Sequence, residues 1–298
     1  MRIRGNSATE KIDVCDDHRL RAVEQVLVRL RRDLSRAHPL DDLAQTACFS
    51  PFHFLRVFRL ITATTPARFL AALRIAEAKR LLAATDLDIT TICMQVGYTS
   101  LGTFSHQFAR HVGVSPRKFR RLINDMSDQT WEAVLAAAAP PALRAGRSRK
   151  VRVRFNGLEP GNIALVGLFE SGIPQGWPAA CAMARESTEV DLVAGPDGVY
   201  MALAMSFSPD ADIEALMTSD VPNQYLVGSY GHVHVEDGHI AERSIVIDLR
   251  PRRPSDPPIV FASPLLAAQE SRLEATPKRL PVGAAGASAG SKKYRDFA

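Results

Sequence analysis

Leu43-Ala44-Gln45-Thr46-Ala47-Cys48-Phe49-Ser50 returns about fifty residues later as Ile92-Cys93-Met94-Gln95-Val96-Gly97-Tyr98-Thr99. After a one-residue insertion, Phe54 and Phe58 fall on Phe104 and Phe108, and Thr65-Pro66-Ala67-Arg68-Phe69 falls on Ser115-Pro116-Arg117-Lys118-Phe119. Self-similarity at a fixed period means one supersecondary unit built twice, and a missed period would misassign the fold. Each copy reads as a short helix, a tight turn and a second helix, the arrangement that lays its second helix into the major groove of DNA.

The repeat supplies the residues that such a unit needs. Leu43, Ala44 and Ala47 are placed to pack the first helix onto Phe54 and Phe58, and Ile92, Cys93 and Val96 to do the same with Phe104 and Phe108. Aromatic residues at i and i+4 are what core packing of a helix produces, so the phenylalanines are assigned to the interior. With those rings inward, helical spacing sends Phe52, His53, Arg56 and Arg59 outward in the first unit. In the second it sends out Gly102, Ser105, His106 and Arg110. These residues are the candidates for base and phosphate contact.

Around the two units the chain reads as helix after helix from about Asp16 to Asn124. Leu20, Val23, Leu27, Leu30 and Leu34 form one apolar stripe at three- and four-residue steps. Start positions follow in series at Asp41 or Asp42, Ser50, Thr65, Asp88, Ser100 and Ser115, three of them just before Pro51, Pro66 and Pro116. A short polar side chain accepts from first-turn amides, and a proline there has no donor to waste. Ala71 to Ala84 has no helix breaker and reads as one stiff helix joining the repeats. Arg117, Lys118, Arg120 and Arg121 follow the last capped start and are assigned to phosphate.

Charge divides the chain into unlike halves. Residues 1–150 hold 24 Lys and Arg against 14 Asp and Glu, whereas residues 151–298 hold 13 against 18. A basic half suits a polyanion, because phosphates neutralised by Lys and Arg release condensed counterions. Cys15, Cys48, Cys93 and Cys181 form no Cys-x-x-Cys pair, which argues against a disulfide framework or a zinc knuckle and for a reducing compartment. No apolar run reaches the roughly 18 residues of a spanning helix, and no secretory leader is recognisable, so a soluble cytoplasmic protein without membrane contact is expected.

Residues 125–150, with an Ala-Pro run and a basic stretch to Lys150, read as a linker. Beyond it the period becomes two, in Val151–Phe155, Glu189–Val193, Val199–Phe207, Gln224–Glu236 and Ser244–Leu249, with turn clusters such as Gly195-Pro196-Asp197-Gly198 between. That pattern predicts a mainly antiparallel β domain over 151–266, a sandwich, with a short helix at Ala211–Thr218. The tail 267–298 is small and polar enough to be disordered. The fold class is therefore multidomain α+β: an all-α double helix-turn-helix region followed by a β region.

The β region has few residues that suggest chemistry. His232, His234 and Glu236 alternate along one strand, with His239 beyond the turn, but a solvated face opposite Val233 and Val235 explains the alternation, and no metal or cofactor is expected. Trp177, in the loop Ser171–Pro178, is expected to anchor that loop to the core rather than line a ligand pocket. Cys181 has no neighbouring base and is expected to be an inert thiol. A phosphate-cradling loop and a His-Glu-x-x-His pattern are absent, which argues against an enzyme.

The segment from Leu40 to Leu122 resembles the DNA-binding domain of the AraC/XylS family of bacterial transcription regulators. The resemblance rests on Ser50-Pro51, on Arg74-Ile75-Ala76-Glu77-Ala78-Lys79-Arg80-Leu81-Leu82, on Ile92–Tyr98 with its Val96-Gly97-Tyr98, and on Phe104–Phe119. It implies that the two units enter successive major grooves of double-stranded DNA, held apart by the linking helix. It also implies RNA polymerase and a small-molecule effector of the C-terminal domain as further partners, in an order of domains opposite to the family's commoner one. The chain departs from the family at Ala63, where glycine is usual. If that position needs a positive φ, alanine costs on the order of 1 kcal/mol there. Two other functions for the β region compete with effector sensing: a fused catalytic module and a dimerisation surface.

Overall fold

The computed structural model describes residues 7–126, 150–212, 216, 218 and 225–260. The helical region runs α1 (Ser7–Arg32), α2 (Leu40–Thr46), α3 (Pro51–Thr62), α4 (Pro66–Ala84), α5 (Ile89–Gln95), α6 (Leu101–Val112) and α7 (Pro116–Met126). The β region runs β1 (Lys150–Asn156), β2 (Ile163–Phe169), β3 (Ala180–Ala184), β4 (Glu189–Val193), β5 (Gly198–Phe207), β6 (Leu226–Glu236), β7 (His239–Ile240), β8 (Ser244–Asp248) and β9 (Arg250–Pro251). The expected tail lies outside the described residues, as do most of the linker and half of the helix at Ala211–Thr218.

Helix starts follow the expected chemistry at most ends. The side chains of Ser50, Thr65, Asp88 and Ser100 accept from the amides of His53, Arg68, Thr91 and Thr103, and Ser115 Oγ accepts from the Lys118 amide. The start of α2 differs from expectation. Its N-cap is Pro39, with no side-chain cap bond, and Asp41 and Asp42 sit inside the first turn. Asp42 faces Arg29 of α1 instead, at 3.4 Å, while its carbonyl accepts from the same guanidinium. A carboxylate in the first turn still interacts well with the positive end of the helix.

Each unit closes on three rings. Phe54, Phe58 and Phe69 meet at centroid distances of 5.5 and 5.8 Å, and Phe104, Phe108 and Phe119 at 5.7 and 5.6 Å. All six are fully buried. Each contributes about 1.5–3 kcal/mol by leaving water. The linking helix α4 begins at Pro66, at the start marked by Thr65, so it extends beyond Ala71–Ala84 toward the first unit, and it packs against α3, α5, α6 and α7. Its buried positions lie all around it, as a helix wedged between two units requires.

The β region is a pair of sheets sharing one core. One has the order β4-β1-β8, the other β3-β2-β5-β6-β7, with β9 paired to β6. Val153, Phe155, Ile245 and Ile247 of the first sheet pack on Val166, Leu168, Ala202 and Val233 of the second. Pairing is antiparallel except between β1 and β8, which run parallel from Arg152↔Ser244 to Asn156↔Asp248. Across the β1–β4 face, Arg152 bridges Glu189 and Asp191, and Arg154 bridges Glu189. Strands β2 and β3 show no period of two in the sequence. In β2 the reason is physical, because one face lies on the other sheet and the opposite face on the helices, leaving only Leu165 half-buried.

The helical and β regions are not separated by solvent. Phe104, Phe108, Phe119 and Leu122 belong to one apolar cluster with Ile163, Ile173, Phe207, Tyr225 and Val260. Lys79, only 1% exposed, crosses the same junction, donating to the Ile259 carbonyl at 3.3 Å with its ammonium 5.9 Å from the Phe119 ring centre.

Candidate nucleic-acid interface

The two helix-turn-helix units start their second helices in the same way and differ in what they expose. In α3, Phe52 is 89% exposed, Arg56 and Arg59 are exposed, and His53 is half-buried. His53 lies edge-on to Phe49 at 4.7 Å, and Arg56 reaches its Nδ1 at 3.3 Å. Arg56 is thus held along the exposed side of the helix. In α6, Gly102, His106 and Arg110 are exposed and Ser105 is half-buried. Thr103 is also exposed on this face, a residue that sequence reading passed over. The signal was available: the one-residue insertion puts Thr103 in register with His53.

At the start of α7, Arg117 is exposed and Lys118 half-buried. Arg120, expected on phosphate, points inward: its guanidinium donates to the Leu82 carbonyl at 3.1 Å and to that of Leu87 at 2.6 Å. It satisfies carbonyl oxygens at and beyond the C-terminal end of α4, which have no helical donor. Arg74 does similar work, donating to the carbonyls of Leu34 and Arg36.

Backbone geometry separates the units further. The turn before α6 contains Gly97 at φ 88°, where a Cβ would come 2.5 Å from the Leu34 carbonyl oxygen. The residue in register with it in the first unit is Cys48, at φ 55°. The C-cap of α6 is Gly113 at φ 100°, and that of α3 is Ala63 at φ 54° and ψ 17°. The Ala63 position does need a positive φ, so the turn keeps its left-handed shape with a residue that is strained there. At both ends of its second helix, the first unit holds a side chain where the second unit holds glycine.

The remaining residues singled out in the sequence fall as follows. Val233 and Val235 are buried while His232, His234 and Glu236 face solvent, and His234 meets Glu242 at 3.4 Å. Trp177 is 58% exposed, so it does not anchor its loop. Ile173 and Pro174 are buried and hold the loop in its place. Burial pushes the Cys181 thiol up, which disfavours the reactive thiolate. No described helix is long and apolar enough to cross a membrane.

A capped, aromatic-cored helix-turn-helix present twice defines a DNA-binding module, and comparison with known proteins gives its class. A profile for helix-turn-helix domains matches residues 43–122. The transcriptional activator AarP of Providencia stuartii is 30% identical over 98 residues, covering 33% of this chain and 73% of that protein. The regulator Rv1931c of Mycobacterium tuberculosis is 35% identical over 85 residues, covering 28% of this chain and 33% of that protein. The chain thus spans about a third of Rv1931c, and the same share of the melibiose operon regulatory protein of Escherichia coli, at 27% identity. Among solved structures, an AraC-type regulator from Chromobacterium violaceum aligns at 23% identity over 35% of this chain and 93% of that one, with a TM-score of 0.34. The DNA-binding domain of AdpA, solved with a target DNA, aligns at 26% identity over 36% and 96%, also at 0.34. The chain belongs to the AraC/XylS family of helix-turn-helix DNA-binding transcription regulators.

Proposed function

We propose that α3 and α6 are two recognition helices that enter successive major grooves on one face of double-stranded DNA. The observation that carries this reading is the pairing of two equivalent helices, each with a serine N-cap and a buried Phe pair, on one stiff connector. At 19 residues, α4 spans about 28 Å, which suits groove centres about 34 Å apart once the units' own width is added.

Within this reading, Arg56 makes the bidentate guanine contact, Phe52 meets a thymine methyl, and His53, Gly102, Thr103, Ser105 and His106 line the remaining base edges. Arg59, Arg110, Arg117 and Lys118 hold phosphates and set the register. Residues 16–124 form the DNA-binding domain, 125–150 the linker, and 151–266 a regulatory domain that senses an effector or meets a partner protein. Contact with RNA polymerase fits a chain whose relative AarP is named an activator. The similarity to AarP and Rv1931c, both named as transcription regulators, favours a function without catalysis.

Selection of bound duplexes from a random pool tests the reading, followed by two variants on the recovered sequence. Arg56→Ala is expected to relax preference at one position by about 1–3 kcal/mol. Lys118→Ala is expected to weaken all duplexes alike and reduce the salt slope by about 1. Equal losses on selected and random duplex for both variants would overturn this division of roles.

A further inference from the structure

The six-stranded sheet leaves an apolar cavity of about 230 Å³ where it faces the helices. Its floor is Leu165, Met183, Leu203 and Met205 of β2, β3 and β5, and its roof is the Ile61–Ala63 end of α3. Gly167, covered by the Phe169 ring and Pro178, adds to its lining. At the rim, Arg250 and Asp256 bond to each other at 2.7 and 2.8 Å, so the charged groups placed there are neutralised. Cys181, Met183 and Leu203 on its surface are only half-buried, so the cavity opens to solvent and leaves apolar side chains that a ligand would cover. An apolar cavity of about 150 Å³ already admits benzene, so this one has room for a larger ring system. Methionine thioethers favour aromatic partners, and the absence of a free charge among these lining groups disfavours an ionised one.

One wall of the cavity is the loop of residues 171–178, through Gly172, Pro174 and Pro178. The same loop holds the C-terminal ends of both recognition helices. Gly172 lies against Ala63, so closely that a Cβ there would be 2.5 Å from the alanine methyl. The Gly176 amide donates to the His111 carbonyl at 2.6 Å, next to the Val112–Gly113 end of α6. The Pro174 carbonyl in turn accepts from Val260, which is buried in the core shared with the second unit.

We propose that this junction cavity binds a small uncharged aromatic molecule, and that occupancy is transmitted to both recognition helices through the 171–178 loop. The second half rests on the reading of α3 and α6 as recognition helices. A ligand that fills the wall behind the loop presses Gly172 onto Ala63 and Gly176 onto His111, fixing the spacing of the two helices and tightening the grip on DNA.

The full chain is titrated with the uncharged fluorophore N-phenyl-1-naphthylamine. A saturable rise in fluorescence is expected, weakened about tenfold or more in Leu203→Trp, whose indole fills the floor, with its cooperative melting retained. If Leu203→Trp fails to fold, Leu203→Ala enlarges the cavity and must change the dye's affinity about threefold or more. Hydrogen exchange with bound dye is expected to slow at 171–178, at the 61–65 turn and at 111–114. No saturable binding, or equal binding by the folded Leu203→Trp chain, overturns the site. Protection confined to the β strands overturns the relay.

On a duplex the chain binds, saturating dye is expected to tighten affinity about fivefold, and DNA must tighten the dye by the same factor. An unchanged or weaker affinity overturns the relay. A chain that binds no duplex overturns the recognition-helix reading instead, while dye titration and exchange still decide the cavity.

Discussion

Cys48 and Ala63 both hold left-handed backbone, at φ 55° and 54°, where the second unit has Gly97 and Gly113. A β-carbon at such a φ crowds the backbone by on the order of 1–2 kcal/mol. Replacing it with glycine releases that strain and restores about 0.4–1 kcal/mol of unfolded-state entropy, which opposes the gain. Cys48 is exposed, and at Ala63 the loss is one methyl that touches Gly172. The net expectation is about 0.5–1 kcal/mol of stabilisation for Cys48→Gly and for Ala63→Gly alike. The reciprocal changes have the opposite sign. Gly113→Ala at φ 100° lies further from the left-handed minimum than Ala63 does. Gly97→Ala drives a methyl into the Leu34 carbonyl and the Ser35 Cα, 2.5 and 2.8 Å away. The assay is thermal unfolding of the four single variants and the Cys48→Gly/Ala63→Gly double. At about 2–4 °C per kcal/mol for a chain of this size, the double should gain roughly 2–8 °C. A melting temperature unchanged or lowered in the double variant, together with an alanine at 113 that costs nothing, refutes the claim that the first unit carries backbone strain.

Other consequences are read by simpler measurements. Asp88→Ala removes the acceptor that holds the Thr91 amide at 2.9 Å, and denaturant titration should show a loss of about 1 kcal/mol. Phe108→Ala opens the middle of the second unit's three-ring core and should cost about 3–5 kcal/mol by the same titration. Burial pushes the His111 imidazole down, Arg110's charge adds to that, and its bond to the Gln107 carbonyl opposes it. The folded state therefore prefers neutral His111. Its contribution is complete above the unfolded value of about 6.5 and is lost as pH falls from there through the folded value. Urea midpoints of wild type and His111→Gln should converge as pH drops below 6.5, and parallel curves would remove His111 from this role.

The helical region was legible because its information is local. Caps such as Ser50 and Asp88 act on amides three residues away, and Phe54 and Phe58 sit one turn apart. Strands with one wet face were legible for the same reason: β1 alternates exposed and buried residues along its whole length. Strand β2 hid because both its faces are covered. Arg120 and Trp177 misled because local pattern says only that a side chain is basic or aromatic. Where each points depends on the Leu82 and Leu87 carbonyls, and on which loop residues fill the core.

The sequence by itself determined that one chain carries two helix-turn-helix units in fixed register, since every contact that defines a unit lies within about thirty residues. Only the tertiary structure decided that β1 runs parallel to β8, that Lys79 of α4 reaches Ile259, and that residues 171–178 touch the C-terminal ends of both α3 and α6. These contacts join residues some 65 to 180 positions apart. No local period encodes them, because they depend on how two already formed surfaces fit together.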